Sequence, residues 1–140
     1  MSTGGVKLVL DTNVIVSMIG RRSPNRWIFD KVLTGEFRLC ISNEILFEYE
    51  EILAAKTTPE VASNFTDFLI SFPGVEHIEI YFKWDLIAED VDDNKFVDCA
   101  VAAQAIIVSE DRHFRPYRTN EHPPLLVLTI EELKAKYQKG

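Results

Sequence analysis

Long apolar runs are absent from this sequence of 140 residues. No stretch approaches the roughly 20 apolar residues that cross a bilayer, and residues 1–5 lack the basic segment and apolar core of a secretion signal. We therefore expect a cytoplasmic protein with no membrane partner. Internal repeats and low-complexity segments are also lacking, while a hydrophobic content of 46% is enough for one sizeable core. These features predict a single domain over residues 1–140.

Cysteine and histidine are scarce. The two cysteines, Cys40 and Cys99, lie in apolar stretches and lack the close spacing of a metal knuckle or redox pair, so we expect buried, reduced thiols. The three histidines, His77, His113 and His122, are scattered and show no arrangement with serine or cysteine that favours nucleophilic catalysis. Thiol and histidine chemistry is therefore not expected.

Positive charge is in deficit, with 15 basic against 22 acidic residues and a net charge of -7. A chain of this kind does not attract nucleic acid by a general basic field. That objection weakens if several carboxylates share one metal site, because bound divalent cations reverse the local sign that a phosphate meets. The position of the acids is thus more informative than their number.

Short apolar strands alternate with amphipathic helices along the chain. This order predicts an α/β domain with a mainly parallel central sheet and helices on both faces. In such sheets ligands bind outside the carboxyl ends of the strands, where the strand order reverses. Strands are predicted at 6–10, 37–41, within 75–82, at 105–108 and at 125–128.

An acidic residue follows each of two predicted strands. Asp11 comes directly after the first strand, and Asp111 comes just past the strand at 105–108. Asp11 is equally well explained as a helix cap or an Asx turn. Two carboxylates about 6 Å apart repel by roughly 3 kcal/mol at an effective dielectric near 20, so we expect them to converge only where a cation relieves the repulsion. Oxygen ligands of this kind suit Mg²⁺ or Mn²⁺.

The predicted helix over 43–56 carries further acids. At about 100° per residue its apolar arc is centred near Tyr49, and both Glu48 and Glu50 lie at the edges of that arc. Either glutamate is a candidate for a half-buried ligand at the rim of the sheet, and helical geometry does not choose between them. A solvated helix face explains each of them too.

A run of acids, Asp90 to Asn94, precedes another predicted helix. The positive end of a helix dipole explains one or two of these acids, but not easily all of them. A calcium loop is rejected, because Lys95 replaces the required glycine and Val101 the required glutamate. Asp98, further along, is either an additional or outer ligand or a solvated partner of Lys95.

Taken in order, four segments resemble the PIN-domain family of nucleases, especially its bacterial members assigned as toxins of toxin-antitoxin pairs. The resemblance covers nearly the whole chain. The segments are Leu8–Val14, Ser42–Tyr49 with Ile52 and Leu53, Asp92–Phe96 with Ala100, and Ile107–Asp111.

The resemblance implies four acids that act as both metal ligands and catalytic residues, and it favours Glu48 over Glu50. It further implies one or two Mg²⁺ or Mn²⁺ ions and an endoribonuclease that hydrolyses RNA phosphodiester bonds. The four acids are Asp11, Glu48, Asp93 and Asp111.

Polar neighbours of the four acids are expected to support the site. Thr12 and Ser109 match positions where the family usually carries a hydroxyl near the metal, while Asn13 and Asn94 are expected to hold the acids by hydrogen bonds, with Asp98 as a further supporting residue. RNA contacts are expected from two loops, although a solvated basic loop explains these arginines equally well. The arginines are Arg21, Arg22, Arg26, Arg112 and Arg115.

Two other functions compete with a ribonuclease. An aspartate-nucleophile phosphatase also has an aspartate after its first strand, but it needs a second acid two residues later, where this chain has Asn13. The other is an inactive PIN-like module that binds RNA or protein, and the complete acid set argues against it.

An antitoxin protein is the partner that the resemblance implies, and a homodimer is a further expected assembly. Phe47 and Trp84 are candidates for either surface, although core packing explains both equally well.

Overall fold

A computed structural model of the protein describes residues 5–84, 93–111, 114 and 124–137. Within these residues it contains five strands and six helices. The strands and helices follow the predicted order. They are β1 (Val6–Leu10), α1 (Thr12–Met18), α2 (Arg26–Thr34), β2 (Phe37–Ile41), α3 (Asn43–Lys56), α4 (Pro59–Ser71), β3 (Val75–His77), α5 (Asn94–Ala103), β4 (Ile106–Val108), β5 (Val127–Leu128) and α6 (Ile130–Tyr137).

The five strands form one sheet in the order β3-β2-β1-β4-β5, and all four pairings are parallel. This confirms the predicted α/β fold. β3 is shorter than the predicted alternating segment at 75–82. After β3, Ile78 N still donates to Ile41 O at 2.7 Å, but Ile41 is the last residue of β2. The residues after Ile78 therefore have no β2 residue to pair with.

Local capping chemistry fixes where several helices begin and end. The Ser42 hydroxyl accepts from Ile45 N at 3.4 Å at the start of α3. Thr58 caps α4 in the same way, with Pro59 at the first helical position. Gly35 ends α2 with φ at 88°, a left-handed conformation that favours glycine. Among the described residues, none of the helices is long and apolar enough to cross a membrane.

The core lies against the sheet and includes both cysteines. Leu10, at the end of β1, is fully buried, and Cys40 and Cys99 are buried free thiols, as predicted. Burial raises the pKa of Cys40 to about 12. The buried Tyr49 hydroxyl donates to the Leu10 carbonyl, which ties α3 to the carboxyl end of β1. The residue that follows Leu10 is thereby held on a rigid support.

The strand order reverses at β1, which pairs with β2 on one side and β4 on the other. Because connections between parallel strands are right-handed, the helices before and after this reversal lie on opposite faces of the sheet. Asp11 N donates to Val108 O at 3.0 Å, so the pairing of β1 with β4 extends to the first residue beyond the strand. The crevice at the carboxyl ends of β1 and β4 is where this type of sheet binds ligands.

Candidate acidic active site

Asp11 lies at the reversal point and is turned toward β4. Asp11 is only 7% exposed, and its Oδ2 accepts a hydrogen bond of 2.8 Å from Ser109 Oγ, just beyond β4. Asp11 is also the N-cap residue of α1, but its carboxylate oxygen is held by the neighbouring strand end. This position fits a ligand at the sheet edge better than a simple helix cap.

The pKa of Asp11 reports on its surroundings. Burial raises this pKa above its ordinary value, and the hydrogen bonds from Ser109 and from the Thr12 backbone lower it in part. The negative charges of Asp111 and Glu48 raise it further. Glu48 and Asp111 are therefore both close enough to Asp11 to repel its negative charge.

Glu48 reaches the same crevice from α3, and donors hold both of its oxygens. Lys95 Nζ donates to Oε1 at 2.6 Å, and the Thr12 hydroxyl donates to Oε2. Glu48 is half-buried, whereas Glu50 is exposed. The structure thus brings Glu48, and not Glu50, to Asp11.

Asp93 and Asn94 lie at the beginning of α5, and Asp98 lies about one turn further along the same helix. Asp93 is the N-cap residue of this helix and its Oδ2 is buried, as is the side chain of Asn94. Asp98 is also buried and accepts from Trp84 N at 2.9 Å. The alternative of Asp98 as a solvated partner of Lys95 is therefore wrong, because a residue that is 4% exposed is not solvated.

Ser109 links the two strand-end aspartates. While its hydroxyl donates to Asp11, the same oxygen accepts from Asp111 N at 2.9 Å. Asp111 is half-buried and follows this serine by two residues. One buried side chain therefore holds the carboxylate of Asp11 and the backbone of Asp111, which gives the predicted hydroxyl at Ser109 a specific structural role.

The remaining predicted site residues lie in varied surroundings. Asn13 is exposed at the start of α1, and Arg21 and Arg22 are exposed in the loop after it. Arg26 instead donates to Ile19 O at 2.9 Å and lies 4.7 Å from the Phe29 ring centroid, so it holds the loop in place. Arg112, Arg115 and Asp92 lie outside the described residues.

Of the two aromatic candidates for a protein surface, Phe47 is 67% exposed, so core packing does not explain it. Trp84 is half-buried and lies edge-on to Phe82, with ring centroids 4.7 Å apart. Phe47 is therefore the stronger candidate for a surface that binds protein.

The donor chemistry of the crevice fits a divalent ion. Carboxylate oxygens are the ligands that Mg²⁺ and Mn²⁺ prefer, and the repulsion felt by Asp11 is what a cation relieves. In the part of the chain that the structure describes, no three acidic, histidine or cysteine side chains are arranged to hold an ion as they stand. Glu48 is engaged by Lys95 instead. The residues fit the ion in kind, and Glu48 has to exchange a partner to bind it.

Two contributors to the site were not predicted from sequence: the Tyr49 hydroxyl and the Lys95 ammonium. Tyr49 was expected only as part of an apolar stripe. Lys95 does carry a signal, because a cation in the first turn of a helix is disfavoured by the helix dipole and needs a nearby anion. The sequence does not show that this anion belongs to α3.

In a comparison with known families, the model for the PIN domain matches residues 7–113. This range contains all four predicted acids. Comparison with curated proteins gave no match.

Similar solved structures support the same fold. VapBC2 from Rickettsia felis bound to a DNA fragment from its promoter has a TM-score of 0.62 and 20% identity. DNA-bound VapBC from Salmonella typhimurium has a TM-score of 0.60 and 19% identity. FitAcB from Neisseria gonorrhoeae has a TM-score of 0.55 and 15% identity. Each alignment covers 89% of this chain and 98% of the other chain.

Proposed function

The chain belongs to the PIN-domain family, and we propose on that basis that it is a divalent-metal-dependent endoribonuclease, the toxin of a toxin-antitoxin pair. The observation that carries the proposal is the convergence of acids at the strand-order reversal. Asp11 feels the charges of both Glu48 and Asp111 while it is itself buried. A fold gains nothing in stability from such an arrangement, so a function that needs the negative charge is the better explanation.

The proposed ligands are the four predicted acids, Asp11, Glu48, Asp93 and Asp111. When bound, Mg²⁺ or Mn²⁺ lowers the pKa of a water molecule and neutralises charge on the phosphate. The protein's own contribution is to hold the oxygens in place. Ser109 fixes Asp11 and the backbone of Asp111, and Thr12 fixes Glu48. One or two ions are compatible with four acids.

The net charge of -7, which counts against binding of nucleic acid by a basic field, is consistent with a site that binds RNA through metal ions. An RNA phosphate that approaches the uncompensated acids is repelled, so binding at the crevice needs cations. Exposed Arg21 and Arg22 are proposed to contact the RNA backbone outside the crevice. Choice of RNA as the substrate rests on the family resemblance.

The test is to incubate the purified protein with a mixed RNA pool and Mn²⁺, beside Asp11→Asn, Asp93→Asn and Glu48→Gln. We expect metal-dependent cleavage by the wild type, and a loss of at least about 100-fold in each variant, since each removes a ligand charge. The matched control is Glu50→Gln, which makes the same change two residues away on the exposed side of α3. This control is expected to retain wild-type activity.

Three outcomes decide between the competing functions. Cleavage that persists in both aspartate variants refutes the proposed site. RNA binding without metal-dependent cleavage by the wild type favours the inactive RNA-binding module. Hydrolysis of a phosphate monoester, with no cleavage of RNA, favours the phosphatase, although the position where that class needs a second acid is occupied by Asn13.

An antitoxin protein is proposed as the partner. The solved structures of similar fold include VapBC and FitAcB, and two of these are bound to DNA. Phe47 offers an exposed aromatic group of the kind that protein interfaces bury. The test is co-purification with the product of a neighbouring gene. We expect Phe47→Ser, but not Glu50→Gln, to weaken this binding if Phe47 is part of the antitoxin-binding surface. The homodimer and the cytoplasmic location stay predictions, and light scattering of the isolated protein tests the first.

A further inference from the structure

The Lys95 ammonium is placed inside the acidic site. Its Nζ lies 2.6 Å from Glu48 Oε1, the lysine side chain is only 14% exposed, and the glutamate side chain is 26% exposed. The other ion pairs in the described part of the chain each include a partner whose side chain is at least 31% exposed. Lys95 and Glu48 thus form the ion pair that is best shielded from water among those residues.

Local forces do not favour a lysine at this position. Lys95 lies in the first turn of α5, where the helix dipole repels a cation. It also loses hydration and side-chain freedom in a shielded pocket. The compensating interaction is with Glu48, whose negative charge adds to that of Asp11. The ammonium therefore balances part of the acidic charge that a bound metal would balance.

We propose that Lys95 is a built-in counter-cation of the acidic site, which holds Glu48 when no metal is bound and competes with the metal ion for that carboxylate. This inference rests on the proposed function, because it assumes that Glu48 is a metal ligand. Lys95 is a positioning residue in this scheme. Its removal leaves Glu48 still held through Oε2 by Thr12, with Oε1 released for the ion.

The test measures Mn²⁺ binding by titration calorimetry, together with thermal unfolding in EDTA and in saturating Mn²⁺. For Lys95→Met we expect Mn²⁺ binding about tenfold tighter than in the wild type, since a neighbouring positive charge is removed. The melting temperature in EDTA is expected to fall, and the rise produced by Mn²⁺ to become larger. Lys95→Arg, which keeps the charge, is expected to stay close to the wild type.

Lys31→Met is the matched control. Lys31 Nζ donates to Glu36 Oε1 at 2.9 Å, but that pair precedes β2 and therefore lies at the opposite edge of the sheet from the acids. Its removal is expected to leave Mn²⁺ affinity unchanged. A Lys95→Met affinity equal to or weaker than that of the wild type overturns the proposal.

Folding of the variant has its own two outcomes. If Lys95→Met is unfolded in EDTA, refolding by Mn²⁺ supports the proposal, and failure to refold overturns it, because the lysine is then needed for something other than its charge. Absence of Mn²⁺ binding in the wild type contradicts the proposed metal-dependent function itself. Equal binding by wild type and Lys95→Met contradicts only the role of Lys95.

Discussion

Replacement of Ser109 by alanine tests whether one hydroxyl orients the acids that follow β1 and β4. Ser109 is 2% exposed, donates to Asp11 Oδ2 at 2.8 Å and accepts from Asp111 N at 2.9 Å. Ser109→Ala removes both bonds and leaves little room for water to replace them. We expect a loss of folding stability in the metal-free protein and a loss of metal-dependent cleavage.

The magnitude follows from the two bonds. A hydrogen bond to a charged group contributes about 1.5–3 kcal/mol and one between neutral groups about 1 kcal/mol, so the variant should lose about 3 kcal/mol at neutral pH. The bond from Ser109 lowers the pKa of Asp11, so its loss raises that pKa further. Protonation at low pH converts the charged acceptor to a neutral one, and the loss should then shrink to about 2 kcal/mol.

Urea unfolding in EDTA at about pH 7 and at about pH 3, below the ordinary pKa of an aspartate, measures the difference. The matched control is Ser42→Ala, at the carboxyl end of β2, where the buried hydroxyl accepts only from a neutral amide, Ile45 N, among the contacts described. Its cost should be about 1 kcal/mol at both pH values. The orienting role of Ser109 would be refuted if Ser109→Ala lowered the free energy of unfolding equally at the two pH values, or by no more than Ser42→Ala does.

Two further predictions concern the same end of β1. Burial and the neighbouring acids raise the pKa of Asp11 in the folded protein. The contribution of Asp11 to the free energy of unfolding is therefore fully present below its unfolded pKa near 3.8, and it is lost as the pH rises through the pKa of the folded state. Asp11→Asn should therefore be more stable than the wild type in EDTA at neutral pH, with the gain vanishing in acid; a less stable variant at neutral pH contradicts this. Tyr49→Phe leaves the Leu10 carbonyl without its side-chain donor and should cost about 1–3 kcal/mol in urea unfolding. A cost near zero would show that the bond does not anchor β1.

Sequence alone determined the fold class, the order of strands and helices, and the two acids at strand ends. These properties depend on neighbours in the chain. Apolar periodicity indicates which residues are buried, and the prolines, glycines and hydroxyl caps mark where helices begin and end, as Thr58 and Pro59 do for α4. Asp11 and Asp111 were predicted because the first directly follows a strand and the second comes just past one, and the carboxyl ends of parallel strands meet at one edge.

Only the tertiary structure decided how the acids are held. Glu48 and Glu50 lie at equivalent edges of an apolar arc, so periodicity left both open and only the family resemblance favoured Glu48. The packing of α3 against α1 and α5 is what brings Glu48 to the other acids. Lys95 is separated from Glu48 by 47 positions in the chain, so no local rule pairs them. The two alternatives for Asp98 stayed open in the sequence for the same reason, since its partner Trp84 N lies outside α5, 14 positions earlier in the chain. Contacts between segments far apart in sequence set these interactions, and periodicity does not encode such contacts.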